Sequence, residues 1–430
     1  MRRIVIIALA LALCSCGRSE SGTQITISGS AVGKEADLLR TQIARFERLH
    51  RGIHVEIQPT PDDATQRHQL FVQWLNARVG RPDVLQLDIV WTPEFAAAGW
   101  ILPLDRFRPE SGDFFPATLT ANRWRGTLYA VPWFVDVGMI YRRTDLIPSV
   151  PESLDALAAA ARGAQSASVP CGIGWEGARY EGLVTVFVEY LGAFGGTILD
   201  DDGNVTVDSP AGIRALEFMR DEITRWHIAP EEVLTWHEEE ARFAFQNGRC
   251  AMMRNWPYAW SLLSDREKSS VAGRFAVMPL PAAPGGHATS ALGGSELAIN
   301  SASPHPDAAW TLVSYLTAPE QMLERASVVG QIPARRSLFS DPRLREALGP
   351  SPEMLLPVVD AAVPRPVTPI YSQLSDVLQI HLHRALSGQS RPGDALRAAA
   401  AKMRQIIRRS GLASADPPGG HVSSAVSEVR

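Results

Sequence analysis

The 430-residue sequence has little cysteine, little lysine and no excess of positive charge. Its 42 basic side chains are outnumbered by 46 acidic ones, which gives a formal net charge of -4. Only Lys34, Lys268 and Lys402 are lysines, a bias that we attribute to genomic composition. Proteins that bind nucleic acid usually carry a basic surplus that neutralises phosphates, so this charge balance argues against nucleic acid as a partner.

The chain also lacks the signatures of common catalytic and cofactor-binding sites. It contains no G-x-S-x-G, no Walker phosphate loop and no C-x-x-C motif. His381 and His383 are two residues apart on a predicted helix and point to different faces, while His50 and His54 flank a glycine turn, so neither pair is typical of a zinc site. We therefore expect no cofactor, no bound metal and no enzyme activity.

No segment reaches the roughly 18 uninterrupted apolar residues of a membrane-spanning helix. The apolar run 4–13 follows two arginines and is too short to span a bilayer, which is typical of an export signal. It ends in LCSCG at 13–17, which resembles the cleavage box of bacterial lipoproteins. This resemblance implies a lipoprotein signal peptide at 1–15 and a lipid anchor on the thiol of Cys16. An ordinary secretory signal with incidental cysteines is the alternative.

Apart from Cys16, the mature chain contains Cys171 and Cys250. Export permits a disulfide, but two cysteines without a short-loop framework are more often buried apolar residues. We therefore favour two free, buried thiols and keep a disulfide as the alternative.

The length and the hydrophobic pattern predict two α/β lobes. The chain is longer than one usual domain, and its 45% hydrophobic and 20% charged residues are typical of a globular protein. Strand-like alternation near 24–28, 53–58 and 82–87 is interrupted by helical apolar spacing at 35–50 and after residue 62. Such a βαβαβ opening indicates a parallel-rich sheet covered by helices. Further helices are predicted at 152–164, 181–194, 210–227, 237–248, 305–317, 319–328 and 369–388.

Six stretches of the sequence resemble the extracytoplasmic sugar-binding lipoproteins of ABC importers, in particular the trehalose/maltose-binding branch of solute-binding family 1. They agree in order and spacing within residues 24 to 408. They are PDVLQLDIVWTPEFAAAGWILPLD at 82–105, GTLYAVPWFVDVGMIYRRTDLI at 126–147, GWEGARYEGLVTVFVEYL at 174–191, FQNGRCAMMRNWPYAW at 245–260, ALGGSELAIN at 291–300 and AVPRPVTPIYSQLSDVLQ at 362–379. The resemblance implies an α/β, two-lobed periplasmic-binding-protein fold with three hinge crossings and a ligand cleft between the lobes.

The same resemblance places the three crossings near Asp136, Gly293 and Gly330. The last part of the chain lacks an amphipathic period and is predicted to be disordered. The expected limits are a signal peptide at 1–15, a tether at 16–23, an amino-terminal lobe at 24–136 and 294–330, a carboxyl-terminal lobe at 137–293 and 331–410, and a disordered tail at 411–430.

Acidic residues are candidates for binding sugar hydroxyls, because hydrogen bonds to charged groups contribute about 1.5 to 3 kcal/mol each. Asp88 ends the apolar strand VLQLD, where open α/β sheets present ligand-binding residues, and Asp136 lies at an expected crossing. Glu35 and Asp62 match family contacts in the first two strand-to-helix turns. The alternatives are a cap for the helix at 92–98 for Asp88, a solvated turn for Asp136, and stabilisation of helix amino termini for Glu35 and Asp62.

Two arginines and one further acid complete the polar set. Arg67 matches a family residue that reaches the sugar, although an exposed helix arginine is the default interpretation. Arg365 lies between two prolines, which restrict its backbone and favour a positioned side chain. Glu238, in the acidic run 238–240, is either a hydroxyl partner or part of a charged helix start.

Aromatic rings would give apolar platforms for the C–H faces of a sugar. Trp256 and Tyr258 in NWPYAW are the stacking candidates, with ordinary core packing as the alternative. Phe134 matches a position where relatives can carry Tyr, so its ring would keep the apolar contact without the hydroxyl. Gly293 and Gly294 would let backbone N–H groups approach the ligand, or would serve the hinge.

One departure from the family pattern bears on the ligand. After ALGG the chain has Ser295 and Glu296, where a trehalose/maltose-binding relative carries Trp and His. A stacking wall is then missing, so trehalose is only the leading candidate, and another α-linked disaccharide or a larger glucoside would fit the wider cleft.

The resemblance thus implies a monomeric substrate-binding component of an ABC importer, anchored by its lipid outside the cell membrane. It would capture a disaccharide, most simply trehalose or a maltose-type α-glucoside, and deliver it to permease subunits driven by a separate ATPase. One alternative is an exported glycoside hydrolase that uses two of the carboxyls of Glu35, Asp88, Asp136 and Glu238. Another is a sugar sensor for a membrane receptor.

Overall fold

The computed structural model describes residues 22–30, 33–61 and 64–411. The expectations for Cys16, Asp62, the signal peptide and nearly all of the tail lie outside the described residues. The strands are β1 Thr23–Ser30, β2 Ile53–Thr60, β3 Val84–Asp88, β4 Arg123–Trp124, β5 Thr127–Leu128, β6 Ala130–Val137, β7 Met139–Arg143, β8 Cys171–Gly174, β9 Cys250–Asn255, β10 Phe275–Met278, β11 Ser290–Ile299, β12 Ile332–Pro333 and β13 Ala362–Val363.

Helices make up most of the remaining regular structure. They are α1 Gly33–Leu49, α2 Ala64–Asn76, α3 Thr92–Ala97, α4 Pro116–Ala121, α5 Leu154–Ala164, α6 Glu181–Ala193, α7 Pro210–Thr224, α8 Glu238–Gln246, α9 Ala259–Leu263, α10 Pro306–Leu316, α11 Pro319–Val329, α12 Pro342–Ala347, α13 Pro352–Asp360, α14 Tyr371–Leu386 and α15 Pro392–Ser410. In the described ranges, none of the helices combines the length and the hydrophobicity that a membrane span requires.

The βαβαβ opening predicted from the sequence is confirmed by β1, α1, β2, α2 and β3. In α1 the side chains of Leu39, Ile43 and Phe46 are buried, because a spacing of three and four residues puts them on the face that packs on the sheet. The helices predicted between 152 and 388 correspond to α5, α6, α7, α8, α10, α11 and α14.

The first sheet has the strand order β12-β6-β11-β3-β1-β2, and β13 pairs with the start of β11. β1 is parallel to β2 and β3, while β11 is antiparallel to both β3 and β6. The carboxyl ends of β3 and β6 and the first half of β11 therefore lie at one edge of the sheet. In open sheets of this kind, ligands bind beyond the carboxyl ends of the strands.

The second sheet has the strand order β10-β7-β9-β8. β8 is parallel to β9, and β7 is antiparallel to β9 and β10. Helices α6, α7, α14 and α15 pack against one another in this lobe. Ile27 and Val84 belong to the apolar core of the first lobe, and Trp175 and Phe187 belong to that of the second.

The segments that connect the two sheets lie side by side. Gly138 separates β6 from β7, and its N–H donates to the carbonyl oxygen of Ala291 in β11 at 3.0 Å. β13 pairs with the same end of β11, at Ser290 and Ala291. All three connections therefore meet at the first residues of one strand.

The third crossing is expected near Gly330, just before a short strand of the first sheet. Ile332 and Pro333 of that strand pair with β6. The lobe limits, 24–136 and 294–330 for the first lobe and 137–293 and 331–410 for the second, stay a proposal.

Cys171 and Cys250 form a disulfide, so the expectation of two free thiols is wrong. The two residues are 79 positions apart in the sequence, but they are paired neighbours on β8 and β9 with Cα atoms 4.4 Å apart. Both are buried, as expected. The pairing of two strands decides the bond, and the spacing of the cysteines in the sequence does not report that pairing.

Candidate functional site

A cleft of about 1450 Å³ lies between the two lobes. Its walls include eleven of the twelve predicted ligand-binding residues, and the twelfth, Asp62, is outside the described part of the chain. The eleven are Glu35, Arg67, Asp88, Phe134, Asp136, Glu238, Trp256, Tyr258, Gly293, Gly294 and Arg365. The fold thus brings distant parts of the sequence to one place, while the contact of each residue with a ligand stays a prediction.

Strand register places the first-lobe residues of the cleft next to one another. Asp88 is the last residue of β3 and pairs with Ser295 of β11, which in turn pairs with Phe134 of β6. Gly293 of β11 pairs with Asp136 of β6. Because these strands end or begin at the same edge of the sheet, three of them contribute side chains to one wall.

Asp136 differs from the other acids of this wall. Within the described residues, its carboxylate has neither a hydrogen bond nor an ion pair. Burial raises the pKa of Asp136 from 3.8 to about 7, and the negative charges of Glu35 and Asp88 add to the increase. The carboxyl is therefore only partly ionised at neutral pH. A ligand hydroxyl that donated to it would favour the ionised form.

Asp88 is held by its own turn and by an arginine. Its Oδ1 accepts from the N–H of Val90 at 3.2 Å and lies 3.7 Å from Nη2 of Arg365. The N-cap residue of α3 is Trp91, and its side chain makes no capping hydrogen bond. Asp88 therefore stabilises the turn before α3 and does not cap the helix itself.

Glu35 lies in the first turn of α1 and Arg67 in the first turn of α2, and both side chains border the cleft. Oε1 of Glu35 accepts from Nη2 of the buried Arg325 at 2.9 Å. Burial lowers the pKa of Arg325 to about 10, so the guanidinium is charged at neutral pH. Arg67 donates to the carbonyl oxygen of Pro61 at 3.1 Å and lies over the ring of Trp91 at 5.4 Å. Both predicted side chains are therefore held in place at the cleft wall.

The second lobe contributes an aromatic wall. Trp256 follows β9 directly, is half-buried, and donates from Nε1 to Oε1 of Glu238 at 3.4 Å. Glu238 begins α8, so the helix start orients the indole. Tyr258 is 38% exposed, and its hydroxyl donates to Glu239 at 2.7 Å. Trp256 thus forms a platform inside the cleft, whereas Tyr258 lies at the rim.

Two glycines let the walls approach each other. A Cβ atom on Gly293 would lie 3.1 Å from the ring of Trp256 and 3.3 Å from the Cβ of Asp136. Gly294 has a φ of +127°, and a Cβ atom there would lie 2.3 Å from the carbonyl oxygen of Phe134. Glycine is therefore required at 294 by both backbone conformation and space. The platform and the acid are neighbours across Gly293.

Arg365 connects the two lobes. Its Nη1 donates to Oε1 of Glu181 at 2.7 Å, and its Nη2 donates to the carbonyl oxygen of Leu292 at 3.4 Å. The hydroxyls of Tyr371 and Ser375 also donate to the carboxylate of Glu181. Sequence reasoning missed Glu181, which lines the cleft. The sequence feature that could have pointed to Glu181 is an acid at the first position of an apolar helix, where its side chain can pair with a buried arginine.

Of the two departures from the family pattern, Ser295 faces the cleft and Glu296 is buried within the sheet. The hydroxyl of Ser295 accepts from the amide of Gln86 at 3.3 Å. Burial raises the pKa of Glu296 well above its usual 4.5. The small side chain at 295 leaves free the volume that a tryptophan would fill.

The described residues contain no group of three or more His, Cys, Asp or Glu side chains that could hold a metal ion. The cleft offers carboxylate acceptors, guanidinium donors and aromatic faces, among them the indole of Trp256. Such groups can hold a polar, ring-shaped solute by hydrogen bonds and stacking.

Two α/β lobes, adjacent connecting segments and a polar cleft with an aromatic wall define a two-lobed binding-protein fold. The family described as bacterial extracellular solute-binding protein matches residues 32–323. The chain therefore belongs to the family of bacterial extracellular solute-binding proteins.

Relatives of similar length agree with this assignment. A probable ABC transporter-binding protein from Deinococcus radiodurans is 32% identical over 420 residues, which covers 94% of this chain and 98% of the relative. MalE3 from T. maritima, solved with maltose bound, is 41% identical with a TM-score of 0.80 and covers 90% of this chain and 100% of its own. A solute-binding protein from Thermotoga lettingae, solved with α-D-tagatose, is 26% identical with a TM-score of 0.78 and the same coverage. The predicted fold and family are confirmed.

Proposed function

We propose that this chain is the substrate-binding component of an ABC importer and that it captures an α-linked disaccharide. Maltose and trehalose are the leading candidates. The observation that carries the proposal is the convergence of Asp88, Asp136 and Arg365 with the ring of Trp256 on one cleft. Charged groups at the edge of a sugar and a ring on its C–H face are the contacts that such a ligand needs. The maltose bound to the 41%-identical MalE3 supports this choice of ligand.

Capture follows from the division of the contacts between the lobes. The first lobe supplies Asp88 and Asp136, and the second supplies Trp256 and Glu238. Closure lets one sugar meet both sets, so the ligand shifts the equilibrium toward the closed form by its differential affinity. The loaded protein would then dock on a permease whose separate ATPase drives import. We further propose a monomer that is anchored through Cys16 outside the cell membrane.

Isothermal titration with maltose, trehalose and sucrose tests the ligand. Asp88→Ala and Arg365→Ala should each weaken the binding of the preferred sugar at least about tenfold, which corresponds to about 1.4 kcal/mol. Asp307→Ala is the matched control, because Asp307 is 83% exposed and pairs with Arg106 on the surface.

Two results would contradict the proposal. The absence of binding heat with all three sugars would remove the disaccharide, and unchanged affinity in both cleft variants would remove the site. An assay for glucose released from the same sugars separates capture from hydrolysis, since a binding protein returns the sugar intact.

A further inference from the structure

A buried arginine supports the aromatic platform from behind. Arg254 is 1% exposed, and its guanidinium carbon lies 4.1 Å from the centroid of the Trp256 ring. Because Arg254 is buried and Trp256 is only half-buried, the arginine covers the part of the indole that is directed into the lobe. The accessible part of the ring faces the cleft.

One buried carboxylate holds this guanidinium, and a second buried acid lies beside it. Nη2 and Nε of Arg254 donate to Oε1 of Glu189 at 2.7 and 3.1 Å. Nη1 lies 3.5 Å from Oε2 of Glu176, and both acids are buried. A guanidinium is planar and rigid, so the hydrogen bonds from both Nε and Nη2 to Glu189 fix its plane. The orientation of the ring stacked on that plane is fixed with it.

The same ion pair contacts two of the segments that connect the lobes. Oε1 of Glu189 accepts from the N–H of Ala291 at 3.1 Å, at the start of β11. A Cβ atom on Gly138, between β6 and β7, would lie 1.8 Å from Oε1 of Glu189 and 2.1 Å from Nη2 of Arg254. The glycine leaves the space that the pair occupies. Platform, ion pair and lobe connections are therefore in direct contact.

We propose that Arg254 and Glu189 are positioning residues that couple the platform of Trp256 to the lobe connections at Gly138 and Ala291. The coupling serves sugar capture and so rests on the proposed function. Rotation of the lobes moves the N–H of Ala291 relative to Glu189, and the carboxylate transmits this movement to Arg254 and to the indole that it covers. The angle of the platform is then set by the state of closure, without any contact between this pair and the ligand.

Two conservative variants and one control test the coupling. Arg254→Lys keeps the charge but lacks the planar group, and Glu189→Gln keeps an acceptor for Ala291 but removes the carboxylate. The control is Glu222→Gln in the same lobe, since Glu222 is buried and its side chain accepts from Trp175 at 2.9 Å and from Tyr190 at 2.8 Å rather than from either connecting segment.

The first measurements use the sugar-free protein. The quenching of Trp256 fluorescence by acrylamide is the difference between each protein and the same protein with Trp256→Phe. Hydrogen exchange of the backbone amides of residues 290–292 is followed by mass spectrometry. We expect Arg254→Lys and Glu189→Gln to increase the quenching of Trp256 and to accelerate the exchange of Ala291. Glu222→Gln should leave both unchanged.

Maltose titration is the second measurement. Both positioning variants should bind maltose at least about fivefold more weakly than the wild type, while the control binds normally. If the wild type binds none of maltose, trehalose and sucrose, the proposed function fails, and the sugar-free measurements still decide the coupling.

A folded Arg254→Lys protein with wild-type quenching and exchange would overturn the coupling. If that variant does not fold, Glu189→Gln decides in its place: faster exchange at Ala291 with unchanged quenching of Trp256 would show that the ring is independent of the connections.

Discussion

Three acids lie on one wall of the cleft, and they differ in how their charge is compensated. Asp88 lies near Arg365, and Glu35 is paired with Arg325. In the described ranges Asp136 has no such partner, and burial together with the two neighbouring acids holds its pKa at about 7. The hydrogen-bonding capacity of Asp136 is therefore left for a ligand.

This carboxyl should make sugar binding dependent on pH. A hydrogen bond donated by a sugar hydroxyl favours ionised Asp136, so the pKa of Asp136 is lower in the complex than in the free protein. Binding below pH 7 therefore has to release a proton from this carboxyl. We expect affinity to rise by up to about tenfold from pH 6 to pH 8. Titration in buffers of different ionisation heat measures both affinity and proton release.

Asp136→Asn is the control for this effect, because an amide has no proton to lose in this range. Its affinity should be lower than that of the wild type at pH 8 and nearly independent of pH. A flat profile for the wild-type protein would show that Asp136 does not accept from the ligand.

Among the structural elements, β9 carries both a covalent link and the platform. Its first residue, Cys250, is bonded to Cys171 of β8, and its last residue precedes Trp256. The disulfide closes a long loop that contains α6, α7 and α8. A disulfide that closes such a loop reduces the conformational entropy of the unfolded chain and so stabilises the folded protein. This bond lies at one end of β9, and the candidate site lies at the other.

Replacement of both cysteines by alanine should therefore separate stability from binding. We expect the free energy of unfolding to fall by about 2 to 4 kcal/mol. Sugar affinity should stay within about twofold of the wild-type value, because the site lies beyond the opposite end of β9. Urea denaturation and sugar titration of the two proteins measure these quantities. Equal unfolding curves would show that the strand pairing alone supplies this stability.

For the whole molecule, buried acids set the dependence of stability on pH. Burial raises the pKa values of Glu176 and Glu222 from 4.5 to about 8. Such groups are protonated in the folded protein over a range where they are ionised in the unfolded chain. Their stabilising contribution is complete below pH 4.5 and is lost as the pH rises through 8.

The free energy of unfolding should consequently decrease from pH 6 to pH 8, by about 1.4 kcal/mol per pH unit for each of these groups. Glu222→Gln should make the decrease shallower, since the amide does not titrate and can keep hydrogen bonds with Trp175 and Tyr190. Urea melts at pH 6, 7 and 8 provide the comparison. Identical slopes for variant and wild type would mean that Glu222 is ionised in the folded protein.

Local patterns explain why much of the fold could be predicted. The strands and helices from β1 to β3 and the helices α5, α6, α7, α8, α10, α11 and α14 follow from apolar spacing within short windows. The disulfide depends on which strands pair, because Cys171 of β8 lies beside Cys250 of β9. Pairing across the chain leaves no trace in local spacing.

The site residues also divide into those that local sequence motifs predict and those that depend on distant partners. Asp88, Asp136, Trp256 and Arg365 were found because short motifs resemble those of a known family, and they line the cleft. Glu181 was missed because its role depends on Arg365, 184 residues away. The link between Glu189 and Arg254 spans 65 residues and also required the three-dimensional arrangement.

The connecting segments meet at the first residues of β11, so we expect a rotation of one lobe against the other to turn about that strand end. Displacement in a rotation grows with distance from the axis. In the proposed capture, groups beside this axis, such as Asp136 and Gly293, move little and can contact a ligand in both the open and the closed state. Tyr258, which is exposed at the rim, moves farther, so we expect its contacts to depend on the length of the ligand.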